Sequence, residues 1–222
     1  MEYTRGRTFC LEVTGDYACF TRPECKVERV SYPFITPSAA RGIFDAIYWH
    51  PPIRWMVTRI EILSPVRWTN IMRNEVAARA SERVGHLYID DHRQQKSARI
   101  LKDVAYRLHA QMLAHPVPEW GPNAVIDIMK YETMFERRAS RGQFFNYPYL
   151  GCREFSVKSL RLITNPGEAA KMRPACRQKI EAGFMLYDTD FDDKDHRPML
   201  FCPQVVNGVV NIPDIDSKEV WR

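Results

Sequence analysis

No apolar run in this 222-residue chain approaches the roughly 20 residues that a membrane-spanning helix needs. The opening residues, Met1 to Thr8, lack the apolar core of a signal peptide, so the expected location is cytoplasmic, with no membrane partner. Zinc-binding patterns are missing as well. The six cysteines (Cys10, Cys19, Cys25, Cys152, Cys176 and Cys202) form no C-x-x-C pair and have no histidine at metal-ligand spacing. In a reducing compartment they read as buried thiols rather than disulfides. No two of the six histidines share the i, i+4 spacing that would put both on one helix face. G-x-G-x-x-G, G-x-x-x-x-G-K-[ST], H-E-x-x-H and G-x-S-x-G are all absent, which removes the familiar nucleotide, zinc-protease and serine-hydrolase signals. No cofactor and no metal are expected. The acidic run Asp188, Asp190, Asp192, Asp193, Asp195 resembles a calcium loop at its first three ligand positions. It departs from one at the sixth, Asp193 for glycine, and at the twelfth, Met199 for glutamate, and so reads as a solvated acidic turn.

What the chain does have is charge, unevenly placed. It carries 32 Lys and Arg against 27 Asp and Glu, a net of +5. Residues 187–222 hold eight acids against four bases, so the first 186 residues are strongly basic. A basic body suits a polyanionic partner without identifying one. Hydrophobic residues at 45% supply ample material for a core, in one large domain or two small ones. The sequence contains neither an internal repeat nor a low-complexity segment.

Periodicity outlines an α+β chain. Residues 7–14 alternate as a strand, and Gly15-Asp16 offers turn chemistry. Residues 17–35 read as a basic loop or hairpin. Thr36-Pro37-Ser38 suits a helix start, Ala40, Ile43, Phe44 and Ile47 share one helical face, and Pro51-Pro52 ends that helix. Residues 53–63 form the clearest strand. A basic, punctuated region follows, with a strand expected over Arg99–Ala110 and a helix over 123–142, closed by Gly142. Beyond residue 155 the chain is strand-prone, over Phe155–Ile163, Gly183–Tyr187, Met199–Gln204 and Val205–Ile212.

Three stretches are more distinctive. They are Gly15 to Thr21 running on to Ser31-Tyr-Pro-Phe-Ile-Thr-Pro-Ser-Ala-Ala-Arg-Gly and Tyr48-Trp-His-Pro51; Leu101-Lys-Asp-Val-Ala-Tyr-Arg107; and Lys130 to Arg138 followed by Gly142 to Phe155. In collinear order, from residue 8 to about 165, they resemble the handle-binding RAMP subunit of the subtype I-C (Dvulg) CRISPR effector complex. That resemblance implies a ferredoxin-like, RNA-recognition-type domain over residues 1–150 with an RNA-contacting hairpin, and a smaller β-rich domain over 151–222. It also implies a metal-independent endoribonuclease that cleaves CRISPR repeat RNA and keeps the 5′ handle. Its partners would be the backbone and large subunits of the complex and, through them, target DNA.

The implied reaction is attack by a 2′-hydroxyl on the neighbouring phosphate, giving a 2′,3′-cyclic phosphate and a 5′-hydroxyl. It needs a proton acceptor, a cation beside the phosphorane and a donor for the leaving oxygen. In the family these fall to a tyrosine closing the first helix and a lysine–histidine pair opening a later one. They map onto Tyr48, Lys130 and Tyr131, the last departing from the pattern. A phenol is an inferior base to an imidazole at neutral pH. Either Tyr48 and Tyr131 orient the 2′-hydroxyl while Lys130 stabilises charge, or a nearby histidine, His50 or His115, substitutes. RNA contacts are expected from Lys26, Arg29, Arg41, Arg137, Arg138, Arg141 and Arg153, with Phe145 and Tyr147 stacking on bases. The alternatives are a non-catalytic cap that binds a handle cut elsewhere, and a basic scaffold with no RNA role.

Overall fold

The computed structural model describes residues 3–222 except 26, 80, 82–85, 116, 118–125, 166, 168–170, 172–174 and 192. Strand β1 (Thr4–Ala18) leads through the short β2 (Arg29–Val30) to helix α1 (Pro37–Ile47) and strand β3 (Ile53–Ile62). Strand β4 (Trp68–Val76) and the 22-residue β5 (Arg93–Ala114) follow, then helix α2 (Ile128–Ser140) and β6 (Ser159–Ile163). The last strands are β7 (Met185–Thr189), β8 (Pro198–Phe201), β9 (Val205–Val206) and β10 (Val209–Asn211). No helix among the described residues is long and apolar enough to cross a membrane.

Strand β5 organises the molecule. Its second half lies between β1 and β3, antiparallel to both, with Leu108 opposite Leu11 on one side and Ile60 on the other. Its first half extends with β4 as a two-stranded ribbon, Trp68 opposite Leu101 and Val76 opposite Arg93. Strand β6 joins the outer edge of β1, and β10 with β9 joins the outer edge of β3, giving the order β6-β1-β5-β3-β10-β9. Strands β7 and β8 pair separately.

Both helices cover one face of this sheet. Thr36 caps α1, its hydroxyl accepting from the Ala39 N–H, with Pro37 in the first turn as the sequence indicates. Pro37, Ala40, Ile43, Phe44 and Ile47 are buried. Asp127 caps α2, and Tyr131, Phe135 and Ala139 face inward. The two helices meet the sheet through a cluster of rings: Trp55 lies 4.5 Å from Phe135 and 5.0 Å from Phe44, and Phe9 lies 4.8 Å from Phe135. Arg7 at the start of β1 ties α2 down through the buried Glu132, Nε to Oε2 at 3.0 Å. The opposite face holds a buried ionic cluster, Arg107 between Glu12 and Glu61, with His109 2.9 Å from Glu61.

Several expectations need correction. Strand β1 does not turn at Gly15-Asp16 but runs on to Ala18. Gly15 is needed for packing, since a Cβ there would stand 2.2 Å from Leu150 Cδ1. The strand expected over Arg99–Ala110 is nearly twice as long, because its first half pairs with β4 along one edge and, at Ala98 and Arg99, with β2 along the other. Helix α2 begins at Ile128, and residues 123–125 of the expected helix lie outside the described residues. Gly142 does close it, at φ +62°, with the Gln143 N–H returning to the Arg138 carbonyl. Residues past 150 supply both outer edges of the main sheet, and Met185, Tyr187, Met199, Phe201 and Val210 share its apolar cluster.

Candidate functional site

The end of α1 packs on the last turn of α2, and the residues just after α1 reach Tyr131 near the start of α2. Tyr48 is the last residue held by α1, its N–H donating to the Phe44 carbonyl at 3.0 Å while its own backbone is already extended. Pro51-Pro52 prevents the helix from continuing. The indole N–H of Trp55 donates to the Tyr48 carbonyl at 3.1 Å, which fixes the residue against β3. Across from it, the Asp127 carboxylate accepts from the N–H groups of Met129 (3.1 Å) and Lys130 (3.4 Å), leaving the Lys130 side chain exposed in the first turn of α2. A cation in a first turn opposes the helix dipole, so Lys130 contributes nothing to helix stability by its position.

Arg138 joins the two helices, its Nε donating to the Ile47 carbonyl at 2.7 Å. That contact brings the charges of α2 to the Tyr48 phenol. Burial raises the Tyr48 hydroxyl above the ordinary tyrosine value and nearby Tyr131 adds to this, while Arg138 and Arg137 pull the other way. The phenol therefore stays protonated at neutral pH, suited to donate a proton and unsuited to accept one. Tyr131 is only 8% exposed and its ring lies 5.2 Å from that of His50, the planes tilted by 37°. The structure thus gathers Tyr48, Tyr131 and His50, with Arg137 and Arg138 near the Tyr48 phenol, while Lys130 precedes Tyr131 in the chain with its side chain exposed. His115 is elsewhere, edge-on to Tyr3 at 6.1 Å.

A groove opens beside this cluster. The Phe145 N–H donates to the Ala46 carbonyl at 2.7 Å, which hooks the loop after α2 onto the end of α1. Trp49, Phe145, Asn146, Tyr147, Tyr149 and Arg153 line an open cavity of about 560 Å³. Phe145 is 84% exposed, and Trp49 and Tyr147 are also open to solvent. Exposed rings beside a cation are the surface on which unpaired bases stack. Phe145, Tyr147 and Arg153 were expected here; Trp49 was not singled out. The available signal was its position between Tyr48 and the proline pair, where the helical face has ended and a large ring has no core to enter.

The remaining candidates divide. Arg137, Arg141 and Arg153 are exposed, whereas Arg138 is half-buried and bound to Ile47. Arg41 faces inward: its Nε donates to Asp188 at 2.7 Å, its Nη2 to the same carboxylate at 3.1 Å and its Nη1 to Asp45. This corrects the acidic run as well, since Asp188 is a buried partner of α1 and not part of a solvated turn; Asp192 lies outside the described residues. Arg29 is similarly engaged, 3.3 Å from the Cys152 thiol and 3.8 Å from Glu154. Lys26 lies outside the described residues. Among the described residues no three His, Cys, Asp or Glu side chains gather as a metal ion would require.

Comparison with known proteins follows the same lines. The family model described as CRISPR-associated protein (Cas_Cas5), in its Cas5d form, matches residues 8–213. A relative from Mannheimia succiniciproducens, described as CRISPR pre-crRNA endoribonuclease Cas5d, is 41% identical over 224 residues, 96% of this chain and 97% of its own length. A relative from Thermus thermophilus with the same description is 41% identical over 191 residues, 86% of this chain and 76% of its own. Among solved structures, one described as a CRISPR-associated protein superposes over the whole of both chains with a TM-score of 0.72 at 21% identity. The functionally uncharacterized SMU1763c of Streptococcus mutans does so at 0.68 and 20% identity. Those two likenesses concern the fold. With a family match across nearly its full length and two relatives at 41% identity, the chain belongs to the Cas5d family of CRISPR-associated proteins.

Proposed function

We propose that this chain is a CRISPR pre-crRNA endoribonuclease, which cuts within the repeat without a metal ion and then keeps the 5′ handle as part of a cytoplasmic effector complex. The observation that carries the reading is the gathering of Tyr48, Tyr131 and His50 against α2, with Arg137 and Arg138 near the Tyr48 phenol and a groove of exposed rings alongside. The raised Tyr48 phenol is a proton donor for the leaving 5′-oxygen. Lys130, with Arg137, supplies charge for the phosphorane. Phe145, Tyr147 and Trp49 offer stacking surfaces for handle bases, and Arg153 and Arg141 offer phosphate contacts. Arg41 and Arg29 are left out of this reading, because their guanidinium groups already meet Asp188 and, for Arg29, Cys152 and Glu154.

The strand order β6-β1-β5-β3, antiparallel throughout, with α1 and α2 as crossovers on one face, supports the ferredoxin-like reading of the body. The ribbon of β4 and β5 is the candidate RNA-contacting hairpin. One observation favours the non-catalytic cap instead: Tyr131, at the position where the resemblance implies histidine, is buried.

Incubating the purified chain with repeat RNA in EDTA decides between the readings. The expected result is one cut, with a 2′,3′-cyclic phosphate on the upstream product and the handle retained. Retention of uncut RNA would establish the cap, and no retention would remove the RNA role.

A further inference from the structure

Attack by a 2′-hydroxyl requires a group that takes its proton, and neither the tyrosines nor Lys130 is suited to that task. Tyr48 keeps its own proton at neutral pH. Tyr131 is a buried phenol, and an ammonium such as that of Lys130 carries no lone pair. His50 is the one imidazole in this cluster. Its ring stands 5.2 Å from that of Tyr131, and it is half-buried, so it can meet both the protein and a bound nucleotide. Its backbone is fixed: the His50 carbonyl accepts from the Ile53 N–H at 2.9 Å across Pro51-Pro52, and the Pro52 carbonyl accepts from the His115 N–H at 3.0 Å. Two prolines and two hydrogen bonds hold the turn to β3 and to the end of β5, so the imidazole is presented from a rigid support. The other five histidines lie apart from the cluster. His109 is buried against Glu61, His115 packs on Tyr3, His196 lies by Phe191, and His86 and His92 are exposed near the turn before β5.

We infer that His50 is the group that accepts the 2′-hydroxyl proton, an inference that rests on the endoribonuclease reading above. In the step, the 2′ O–H bond breaks and its proton passes to an imidazole nitrogen of His50 while the 2′-oxygen bonds to phosphorus. The bond from phosphorus to the 5′-oxygen then breaks, and that oxygen takes the phenolic proton of Tyr48. The products are a 2′,3′-cyclic phosphate and a 5′-hydroxyl. Proton exchange between the imidazolium and the phenolate restores both groups. The other charged and titratable groups recorded about the cluster, Tyr131, Arg137 and Arg138, come from α2. Separating acceptor and donor onto His50 and Tyr48 explains how the site tolerates tyrosine at position 131.

The test is single-turnover cleavage of repeat RNA with the full chain in excess, comparing wild type with His50→Gln, His50→Ala and the double variant His50→Gln/Tyr131→His. His50→Gln should slow cutting by about 10²-fold or more, with RNA retention unchanged. Tyr131→His in that background should recover rate, because it returns an imidazole to the adjoining ring position. Added imidazole should likewise speed His50→Ala, and such rescue also shows that the variant is folded. Cutting at the wild-type rate by His50→Gln while Tyr48→Phe is slow would overturn the role of His50 and leave the endoribonuclease reading standing. A slow His50→Gln that neither rescue improves would reduce His50 to a packing residue. Wild type that retains RNA without cutting would remove both.

Discussion

Tyr48 and Lys130 are held in different ways. Tyr48 is fixed by its neighbours, through the Phe44 carbonyl behind it and the Trp55 indole beside it. Lys130 is fixed only by its backbone and the Asp127 cap. If both serve the phosphorane, Tyr48→Phe and Lys130→Ala should each slow single-turnover cleavage by about 10²-fold or more while RNA affinity changes little. Full-rate cutting by both would show that the chemistry is elsewhere. The arginines that follow in α2 differ in kind. Arg137→Ala should leave stability intact and lower the slope of log affinity against log salt by about one counterion, as loss of a phosphate contact does. Arg138→Ala should instead lower the folding free energy by about 1.5–3 kcal/mol, since it removes a charged donor from the Ile47 carbonyl. Salt titration of RNA binding and urea unfolding of the two variants separate these outcomes.

At the scale of elements, α1 is held at both ends. Its C-terminus is fastened to α2 by Arg138, and its first turns to β7 by the Arg41–Asp188 pair. The Asp188 side chain is 9% exposed and that of Arg41 18%, so each charge depends on the other for its loss of hydration. Asp188→Asn and Arg41→Ala should each destabilise the protein by about 3–5 kcal/mol, read from the midpoint of guanidinium unfolding. An unchanged midpoint would mean that α1 is seated by its apolar face alone. The groove loop is fixed with similar economy. Gly151 sits at φ +86°, and a Cβ there would stand 2.1 Å from the Cys19 carbonyl oxygen, so the chain can pass β1 only at glycine. The position of Tyr149 and Arg153 in the groove follows from that crossing.

The whole molecule buries an unusual set of phenols. Tyr106 and Tyr187 are raised well above the tyrosine value, in both cases chiefly by burial, and Tyr32 and Tyr48 are raised for the same reason. The folded state therefore holds these protons more tightly than the unfolded chain. Below about pH 10 neither state has lost them and the phenols leave stability unaffected. Above it the unfolded chain ionises first, and stability falls as pH rises. Thermal unfolding followed from pH 8 to 11 should show a melting temperature that starts to fall near pH 9, where the unfolded chain releases thiol protons that buried Cys10 and Cys19 keep, and falls more steeply beyond about pH 10 with the appearance of phenolate absorbance. A melting temperature that stays level through that range would mean that these groups ionise as readily folded as unfolded.

Local sequence determined the parts whose rules act over a few residues. The cap at Thr36, the stop at Pro51-Pro52, the strand over Ile53–Ile62 and the Gly142 closure of α2 follow from neighbours in the chain. The residues of the candidate site were legible for a different reason: Tyr48, Lys130, Phe145 and Tyr147 sit in distinctive stretches that carry the family resemblance. Tertiary structure decided what depends on residues far apart. Arg41 looked like a free surface cation until Asp188, 147 positions later, was brought against it. Gly15 looked like a turn until Leu150 occupied the space beside it. His50 and His115 stood as equal candidates in the sequence until folding set His50 against Tyr131 and His115 against Tyr3. Burial and charge pairing are properties of the folded neighbourhood, and no window of contiguous residues contains them.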